Sequence, residues 1–281
     1  MKVTLFGASG LLGQDLMQVW TGDEITGLGS RDADIREYDQ VARAVEKTRP
    51  DWIVLSAAYT DVDGCESHQD LAFAVNATGA ANVARAAKES GARLLHVSTD
   101  YVFDGASATP YEADHPRAPR SVYGRSKAEG EERILEILAE ACIARTSWLF
   151  GRGGKCFPDT ILKLAATRPE ISVVDDQRGS PTYSVDLARA IMQLCRAQAS
   201  GIVHATNRGE CTWFGFAQEI VRLSGSACEV KPTTTDKFPR PAPRPAYSVL
   251  SPKSLDAYSI PMPSWQDALQ RYMDERPSHA V

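Results

Sequence analysis

The fold is decided by the stretch Val3-Thr4-Leu5-Phe6-Gly7-Ala8-Ser9-Gly10-Leu11-Leu12-Gly13. Its first four residues are typical of a buried strand, and Leu11 and Leu12 begin an amphipathic helix. Gly7 permits a tight turn, Gly10 the approach of a phosphate and Gly13 the close packing of the helix. Backbone N–H groups and the helix N-terminus favour an anion there. The stretch therefore predicts a dinucleotide-binding strand, turn and helix, with a glycine-rich turn of some other α/β protein as the alternative.

Strand-like and helical segments alternate up to about residue 150, which predicts βαβ units and a parallel sheet. The expected strands are 3–6, 24–28, 52–56, 93–97 and 142–148. The expected helices between them are 11–20, 38–48, 71–90 and 122–139. Further along we expect helices at 157–167, 185–197, 213–223 and 265–273, and strands at 171–174 and 202–205.

The expected fold class is α/β. Residues 1–150 are predicted to form a Rossmann-type doubly wound parallel sheet, with a chain return near 184–206. Residues 151–281 are expected to form mainly a smaller C-terminal α/β part that binds the substrate. Prolines interrupt residues 232–245 too often for a core strand, so we expect an extended connection that covers a binding cleft.

Composition excludes several classes of function. The 281 residues, 43% of them hydrophobic, suffice for a full α/β core. A formal charge of −5 argues against a nucleic-acid-binding surface, and no apolar run reaches the roughly 18 residues of a membrane-spanning helix. We expect a soluble, cytoplasmic protein that binds neither nucleic acid nor membrane. The six cysteines form no C-x-x-C pair and are expected to be free thiols.

Tyr123 and Lys127 are four residues apart in a predicted helix and therefore share one face. A neighbouring ammonium stabilises a phenolate, so we expect Lys127 to lower the pKa of Tyr123 toward working pH. Such a tyrosine is a proton donor for a carbonyl that is being reduced. Chance also supplies this spacing, and the glycine turn gives the pair its significance. Together they predict a nucleotide-cofactor carbonyl reductase.

Polar residues after the fourth predicted strand belong to the same expected site. Thr99 is placed to donate a hydrogen bond to the substrate carbonyl and Asp100 to accept one from a sugar hydroxyl, because parallel sheets bind ligands at the carboxyl ends of their strands. Turn capping is the alternative for Asp100. His96, inside the apolar strand, is expected to be a packed core residue.

Two further turns are expected to contact the cofactor. After the second strand, Ser30 and Arg31 suit the 2′-phosphate of NADPH, whereas Asp32 or Asp34 would supply the acid that favours NADH. Ile35 is placed beside Asp34 at the cofactor. After the third strand, small residues allow close approach to the nicotinamide side, although a packing turn is an equal alternative. These residues are Ala57, Ala58, Tyr59 and Thr60.

The quoted residues resemble the dTDP-4-dehydrorhamnose reductase family of extended short-chain dehydrogenases/reductases. The resemblance spans nearly the whole chain and adds motifs more specific than the glycines. They are Ser98-Thr99-Asp100-Tyr101-Val102-Phe103-Asp104-Gly105, Val122-Tyr123-Gly124-Arg125-Ser126-Lys127, Arg145-Thr146-Ser147-Trp148-Leu149-Phe150-Gly151, Val174-Asp175-Asp176-Gln177-Arg178-Gly179-Ser180-Pro181-Thr182 and Arg244-Pro245-Ala246-Tyr247-Ser248.

The resemblance implies reduction of the C4 keto group of dTDP-4-dehydro-L-rhamnose by NADPH, with NADH as an alternative. Tyr123 would be the catalytic acid, Lys127 its partner on the nicotinamide ribose and Thr99 the hydroxyl at the sugar carbonyl. Asp100, Tyr101 and Trp148 would line the sugar site. Arg244 would bind the diphosphate or base, with a surface arginine as the alternative. The resemblance also allows a homodimer.

Two departures limit what the resemblance implies. The segment Gly154-Lys155-Cys156-Phe157 lacks the asparagine that many members carry, and the tip of the second strand lacks their acid. Alternatives are another dTDP-sugar 4-ketoreductase and a non-catalytic subunit like the β subunit of methionine adenosyltransferase. An epimerase or dehydratase is disfavoured, because Tyr101 stands where a dehydratase needs a second acid. Asp175 and Asp176 are assigned to a loop turn, and we expect no metal site.

Overall fold

The computed structural model describes residues 1–276. The strands are β1 Lys2–Phe6, β2 Glu24–Leu28, β3 Trp52–Leu55, β4 Arg93–Thr99, β5 Cys142–Thr146, β6 Leu149–Phe150, β7 Glu170–Val174, β8 Arg178–Gly179, β9 Thr182–Tyr183, β10 Gly201–His204, β11 Cys211–Thr212 and β12 Glu229–Thr233. The α-helices are α1 Leu11–Val19, α2 Tyr38–Thr48, α3 Val62–Ser67, α4 Gln69–Phe73, α5 Ala80–Ser90, α6 Val122–Ile137, α7 Phe157–Ala165, α8 Ser184–Arg196, α9 Trp213–Ser224, α10 Lys253–Asp256 and α11 Trp265–Asp274.

Six strands form the central sheet in the order β10-β5-β4-β3-β1-β2, and every neighbouring pair is parallel. The predicted doubly wound α/β sheet is confirmed. Its order reverses at β1, which pairs with β2 on one side and β3 on the other. Such a switch point opens a crevice at the carboxyl ends of the strands. The glycine turn follows β1 and therefore lies at this crevice.

Apolar layers cover both faces of the sheet. On one face α1 and α8 pack through residues such as Leu16 and Ile191, and on the other α2, α5 and α6 pack through Val41, Val83 and Ile134. All four residues of β3 are buried, as expected for a strand covered on both faces. The crevice is thus fixed by a rigid core.

Residues after β6 form a second, smaller core around Phe150, Phe216 and Leu269, to which α7, α9 and α11 contribute. Within this region the chain returns to the central sheet, because α8 packs against α1 and β10 pairs with β5. The proline-rich segment begins with a short strand that sequence analysis did not predict. This strand, β12, contains Pro232 and, within residues 1–276, pairs only with β7. A two-stranded sheet tolerates proline where a central strand does not.

Two predicted elements are interrupted in the structure. The predicted helix 71–90 contains a π-helical segment at Ala74–Gly79 before α5. The predicted strand 142–148 ends at Thr146, and Trp148 adopts a left-handed conformation with φ of 46°. π-helical segments and strained residues are frequent at functional sites. Both interruptions lie at the crevice, since Val75 and Trp148 line it.

The cysteines are all free and buried. Within residues 1–276, no helix has both the length and the apolar character that crossing a bilayer requires.

Candidate active site

A cleft of about 720 Å³ runs along the carboxyl edge of the central sheet. We divide it into a β2 end, formed by Gly29, Ser30 and residues 33–36, and a β4 end, formed by Thr99, Asp100, Tyr101, Tyr123 and Lys127. The glycine turn lies between them. Predicted site residues that line the cleft are Gly7, Gly10, Leu11, Leu12, Gly13, Ser30, Asp34, Ile35, Ala57, Ala58, Thr60, Thr99, Asp100, Tyr101, Tyr123, Lys127 and Trp148.

The glycine turn leaves no room for side chains at two of its positions. Gly7 has φ of 98°, and a Cβ there would lie 2.5 Å from the Ala57 nitrogen. A Cβ on Gly13 would lie 2.1 Å from the Gly7 oxygen. Gly10 is the N-cap of α1, and no side chain of the described residues caps this helix. Its first N–H groups are therefore open to an anion in the cleft, as a dinucleotide requires.

At the β2 end the structure separates two residues that were predicted together. Ser30 lines the cleft, but Arg31 is exposed and lies outside the lining. Arg36 lines the cleft in its place. Arg36 forms a bidentate ion pair with Asp34, and this pair lowers the pKa of Asp34. Sequence analysis missed Arg36 because only the turn before α2 brings it back to the cleft.

The turn after β3 is held from behind by Asn76 in the π-helical segment. The Asn76 side-chain amide accepts a hydrogen bond from the Tyr59 backbone N–H at 2.8 Å and donates one to the Tyr59 backbone carbonyl at 3.0 Å. The same amide donates to the Ser126 hydroxyl on α6 at 3.0 Å. Ala57, Ala58 and Thr60 face the cleft, whereas the Tyr59 ring packs outside the lining with Cys65. Asn76 thus ties this turn to the helix that carries Tyr123.

Local interactions at the start of α6 orient Tyr123. Ser121 is the N-cap and accepts a hydrogen bond from the Gly124 nitrogen at 3.1 Å, and Glu66 accepts one from the Val122 nitrogen at 2.8 Å. The Tyr123 ring meets the Tyr101 ring edge-on, with centroids 5.5 Å apart. The first turn of α6 is therefore fixed, as capped helices are.

The predicted lowering of the Tyr123 pKa is wrong. Burial raises the pKa of Tyr123 well above its ordinary value, and the neighbouring Thr99 hydroxyl only partly opposes the rise. Lys127 does not act on the phenol, because its ammonium donates to the Val97 carbonyl at 2.7 Å and contacts His96 Nε2 at 3.0 Å. Burial lowers the pKa of Lys127 to about 8. At neutral pH the Tyr123 phenol is therefore protonated, as a general acid must be before it donates its proton.

Asp100 lines the cleft and carries a buried carboxylate with Ser248 as a neighbour. Its Oδ1 accepts a hydrogen bond from the Thr99 hydroxyl at 3.0 Å, but its buried Oδ2 has no hydrogen-bond partner among the described residues. Burial raises the pKa of Asp100 to about 6. A buried carboxylate that lines the cleft suits a ligand hydroxyl.

A buried ion pair that sequence analysis missed lies beneath the β4 end. Glu131 is completely buried on α6 and binds Arg145 of β5, with Arg145 Nη2 2.6 Å from Oε2. The Ser98 hydroxyl donates to Glu131 at 2.6 Å. Glu131 follows Lys127 by four residues, and its charge raises the pKa of Lys127 against the effect of burial. The sequence shows that Lys127 and Glu131 are four residues apart, but it does not show that Arg145 of β5 is the partner of Glu131.

Trp148 is held between two elements of the smaller core. Its ring stacks on Trp213 with centroids 3.5 Å apart, and a Cβ on Gly179 would lie 2.4 Å from its indole. The close approach explains why glycine occurs in the motif of residues 174–182. Trp213, the first residue of α9, gave no sequence signal. The stack provides an aromatic wall for one side of the cleft.

Arg244 lies outside the lining and is bound to α3. Its Nη2 is 3.0 Å from Asp63 Oδ1, and Arg240 Nε is 3.3 Å from the other carboxylate oxygen. The Ala242 nitrogen also donates to Asp63 at 3.2 Å. The proline-rich segment is therefore anchored beside Tyr101, whose pKa responds to the charge of Arg244.

Two other predictions concern the Asp175–Asp176 pair and the segment around Cys156. Asp175 accepts a hydrogen bond from Thr212, and Asp176 accepts two from Thr235, which agrees with a loop role. Within residues 1–276, no three His, Cys, Asp or Glu side chains are grouped as metal ligands. The Cys156 thiol contacts Asp159 and Tyr272 in the smaller core, while Lys155 lines the cleft.

Comparison with known proteins agrees with this geometry. Residues 1–277 match the family described as RmlD substrate binding domain. A dTDP-4-dehydrorhamnose reductase of Streptomyces griseus is 43% identical over 94% of this chain and 90% of that protein. A dTDP-4-keto-6-deoxy-D-glucose reductase of Streptomyces niveus is 38% identical over 94% of this chain and 93% of that protein. The crystal structure of dTDP-4-dehydrorhamnose reductase from Bacillus anthracis in complex with NADP has a TM-score of 0.95 at 40% identity, covering 98% of this chain and 99% of that one.

Proposed function

The chain belongs to the dTDP-4-dehydrorhamnose reductase (RmlD) family, and we propose on this premise that it reduces the C4 keto group of dTDP-4-dehydro-L-rhamnose to give dTDP-L-rhamnose. One observation carries the proposal. The same cleft that contains the uncapped glycine turn also contains a protonated buried tyrosine, beside a threonine hydroxyl and a buried lysine. This combination suits carbonyl reduction with a dinucleotide.

Tyr123 gives its proton to the carbonyl oxygen as the C–O bond becomes a single bond. Thr99 donates a hydrogen bond to the same oxygen and stabilises the negative charge that develops there. Lys127 holds the ribose next to the nicotinamide with its ammonium. The bound dinucleotide supplies the hydride. Burial of all three side chains keeps water away from these steps.

NADPH is the proposed cofactor. The uncapped N-terminus of α1 offers N–H groups to the diphosphate, and Ser30 with Arg36 offers donors to the 2′-phosphate. The related enzyme from Bacillus anthracis was crystallised with NADP. Asp34 can also accept from a 2′-hydroxyl, so we expect NADH to be used less efficiently.

The sugar is proposed to lie between the Trp148 ring and Asp100, whose carboxylate accepts a hydrogen bond from a sugar hydroxyl. Tyr101 completes this wall. Arg244, released from Asp63 or shared with it, would bind the nucleotide diphosphate. We therefore assign substrate recognition to the region after residue 150 together with Trp148 and the β4 end.

A second candidate is reduction of a different dTDP-4-keto sugar, favoured by the similarity to the Streptomyces niveus enzyme. The two reactions share every group described above and differ in which face of the carbonyl meets the cofactor. A non-catalytic subunit is less well supported, because the relatives from Streptomyces griseus and Streptomyces niveus are named as reductases and the groups for proton transfer are intact.

The test is a coupled assay. dTDP-4-keto-6-deoxyglucose is supplied with and without the 3,5-epimerase that precedes the reductase, and oxidation of NADPH and then NADH is followed by absorbance. We expect NADPH oxidation only with the epimerase present, and dTDP-L-rhamnose as the product by NMR. Turnover without the epimerase would replace the first candidate by the second. Absence of turnover with both sugars would reject both.

A further inference from the structure

His96 is buried in β4 directly behind Lys127. Its side chain is 1% exposed, and its Nε2 lies 3.0 Å from Lys127 Nζ. The backbone carbonyl of Val97, the next residue, accepts from the same ammonium at 2.7 Å. Two neighbouring residues of one strand therefore hold the lysine. Sequence analysis had assigned His96 to core packing.

The hydrogen-bonding chemistry of the pair fixes the state of the imidazole. An ammonium has three donors and no acceptor, so Nε2 must be the acceptor and cannot carry a proton. The neutral ring then carries its proton on Nδ1, a buried nitrogen without a hydrogen-bond partner among the described residues. Burial and the charge of Lys127 agree with this state, since both lower the pKa of His96.

The two acceptors leave one N–H of the ammonium for a group in the cleft. A flexible four-carbon side chain would otherwise sample many positions, and fixing it in advance reduces the entropy lost when the cofactor binds. We propose that His96 is a positioning residue that, with the Val97 carbonyl, aims the remaining N–H of Lys127 at the ribose of the cofactor. This inference rests on the proposed role of Lys127 as the ribose ligand.

Other groups around the ammonium do not replace His96. Glu131 is on the same helix and acts through its charge, but its oxygens are engaged by Arg145 and Ser98. Tyr123 and Asp100 belong to the proton-donor side of the site. Removal of the imidazole therefore leaves the ammonium with the Val97 carbonyl as its hydrogen-bond acceptor on the protein, among the described residues.

Three variants test the inference. His96→Leu removes the acceptor, His96→Gln keeps an acceptor oxygen at a similar distance from the backbone, and His204→Leu is the matched control. His204 is equally buried on β10, and neither of its ring nitrogens has a hydrogen-bond partner among the described residues. NADPH dissociation constants are measured by fluorescence titration at pH 7, together with kcat and thermal melting.

We expect His96→Leu to raise the NADPH dissociation constant and to lower kcat, each by about tenfold or more, because a hydrogen bond to a charged group is lost. His96→Gln should recover most of the NADPH affinity and most of kcat. His204→Leu should bind NADPH within about twofold of the wild type. Wild-type affinity in folded His96→Leu, or a Gln variant as poor as the Leu variant, would overturn the inference.

A measurement on the wild type covers the case in which the variants do not fold. Nitrogen NMR of histidine-labelled protein should show His96 neutral, with its proton on Nδ1, at pH 6 to 7, where Lys127 is an ammonium. A proton on Nε2 would refute the inference. NADPH binding and this spectrum need no sugar, so failure of the proposed substrate leaves both results interpretable.

Discussion

The two ends of the cleft differ in how far their charged groups are buried. At the β2 end, the Arg36 side chain is 45% exposed and its partner Asp34 24%. At the β4 end, Lys127 is 2% exposed and Asp100 also 2%. Water screens the first pair, so each charge there is worth little by itself. Burial at the β4 end shifts pKa values and leaves donors and acceptors dependent on single partners. We therefore expect NADPH affinity to tolerate substitutions at the β2 end, whereas catalysis should not tolerate substitutions at the β4 end.

The largest expected effect is on turnover at the β4 end. In Tyr123→Phe the proton donor is lost while the ring and its packing against Tyr101 remain. We expect kcat to fall by about 10²–10⁴-fold, the usual contribution of a general acid. NADPH affinity, measured by fluorescence titration, should stay within about twofold. A kcat within tenfold of the wild type would show that another group donates the proton.

A comparison of ion pairs gives the next largest effect. Arg145→Met leaves the buried Glu131 with the Ser98 hydroxyl and the longer contact to Arg117 Nη1, 3.4 Å from Oε2. Because the main partner of a buried ion pair is lost and a weaker one remains, we expect a cost at the low end of about 3–5 kcal/mol of unfolding free energy. The same substitution in the exposed pair, Arg36→Met, should cost less than about 1 kcal/mol. Urea unfolding followed by circular dichroism measures both. Equal losses would mean that burial does not distinguish the two ends.

The pH dependence of the β4 end should follow from burial. The pKa of Lys127 is lowered to about 8, so the free enzyme loses the ammonium as the pH rises through 8. The pKa of Asp100 is raised to about 6, so its carboxylate is lost as the pH falls through 6. We expect kcat/KM for NADPH to fall about tenfold per pH unit above pH 8, and kcat/KM for the sugar to fall likewise below pH 6.

Two variants assign the limbs of this profile. Asp100→Asn should remove the acidic limb, because the amide does not titrate, and should keep the basic limb. Lys127→Arg should remove the basic limb, because arginine stays protonated. A wild-type profile that is flat between pH 5 and 9 would contradict both assignments.

Sequence analysis located the groups that depend on local spacing. The glycine turn follows from a strand, three glycines and a helix within eleven residues, and the Tyr123–Lys127 pair follows from helical periodicity. It did not locate the partners that tertiary packing supplies. Glu131 meets Arg145, Trp148 meets Trp213 and Lys127 meets His96 across elements that only the fold brings together.

The error in the Tyr123 pKa has the same origin. Proximity along the helix was read correctly, but the direction in which the Lys127 side chain extends depends on β4, and burial depends on the whole core. Both contributions are non-local. Predicting them requires the packed structure, whereas predicting the strand, turn and helix requires only their sequence.

The smallest expected effect concerns two arginines after β2, of which Arg36 lines the cleft and the predicted Arg31 does not. Arg36→Ala removes a donor from the cleft lining and should raise the NADPH dissociation constant about two- to fivefold, as loss of a partly exposed phosphate contact does. NADH affinity should not weaken, because NADH lacks the 2′-phosphate. Arg31→Ala is the matched control and should leave both affinities unchanged, since Arg31 is exposed outside the lining. Titration of each variant with both cofactors gives the ratio of the NADH and NADPH dissociation constants directly. A change of that ratio in Arg31→Ala but not in Arg36→Ala would restore the sequence-based assignment.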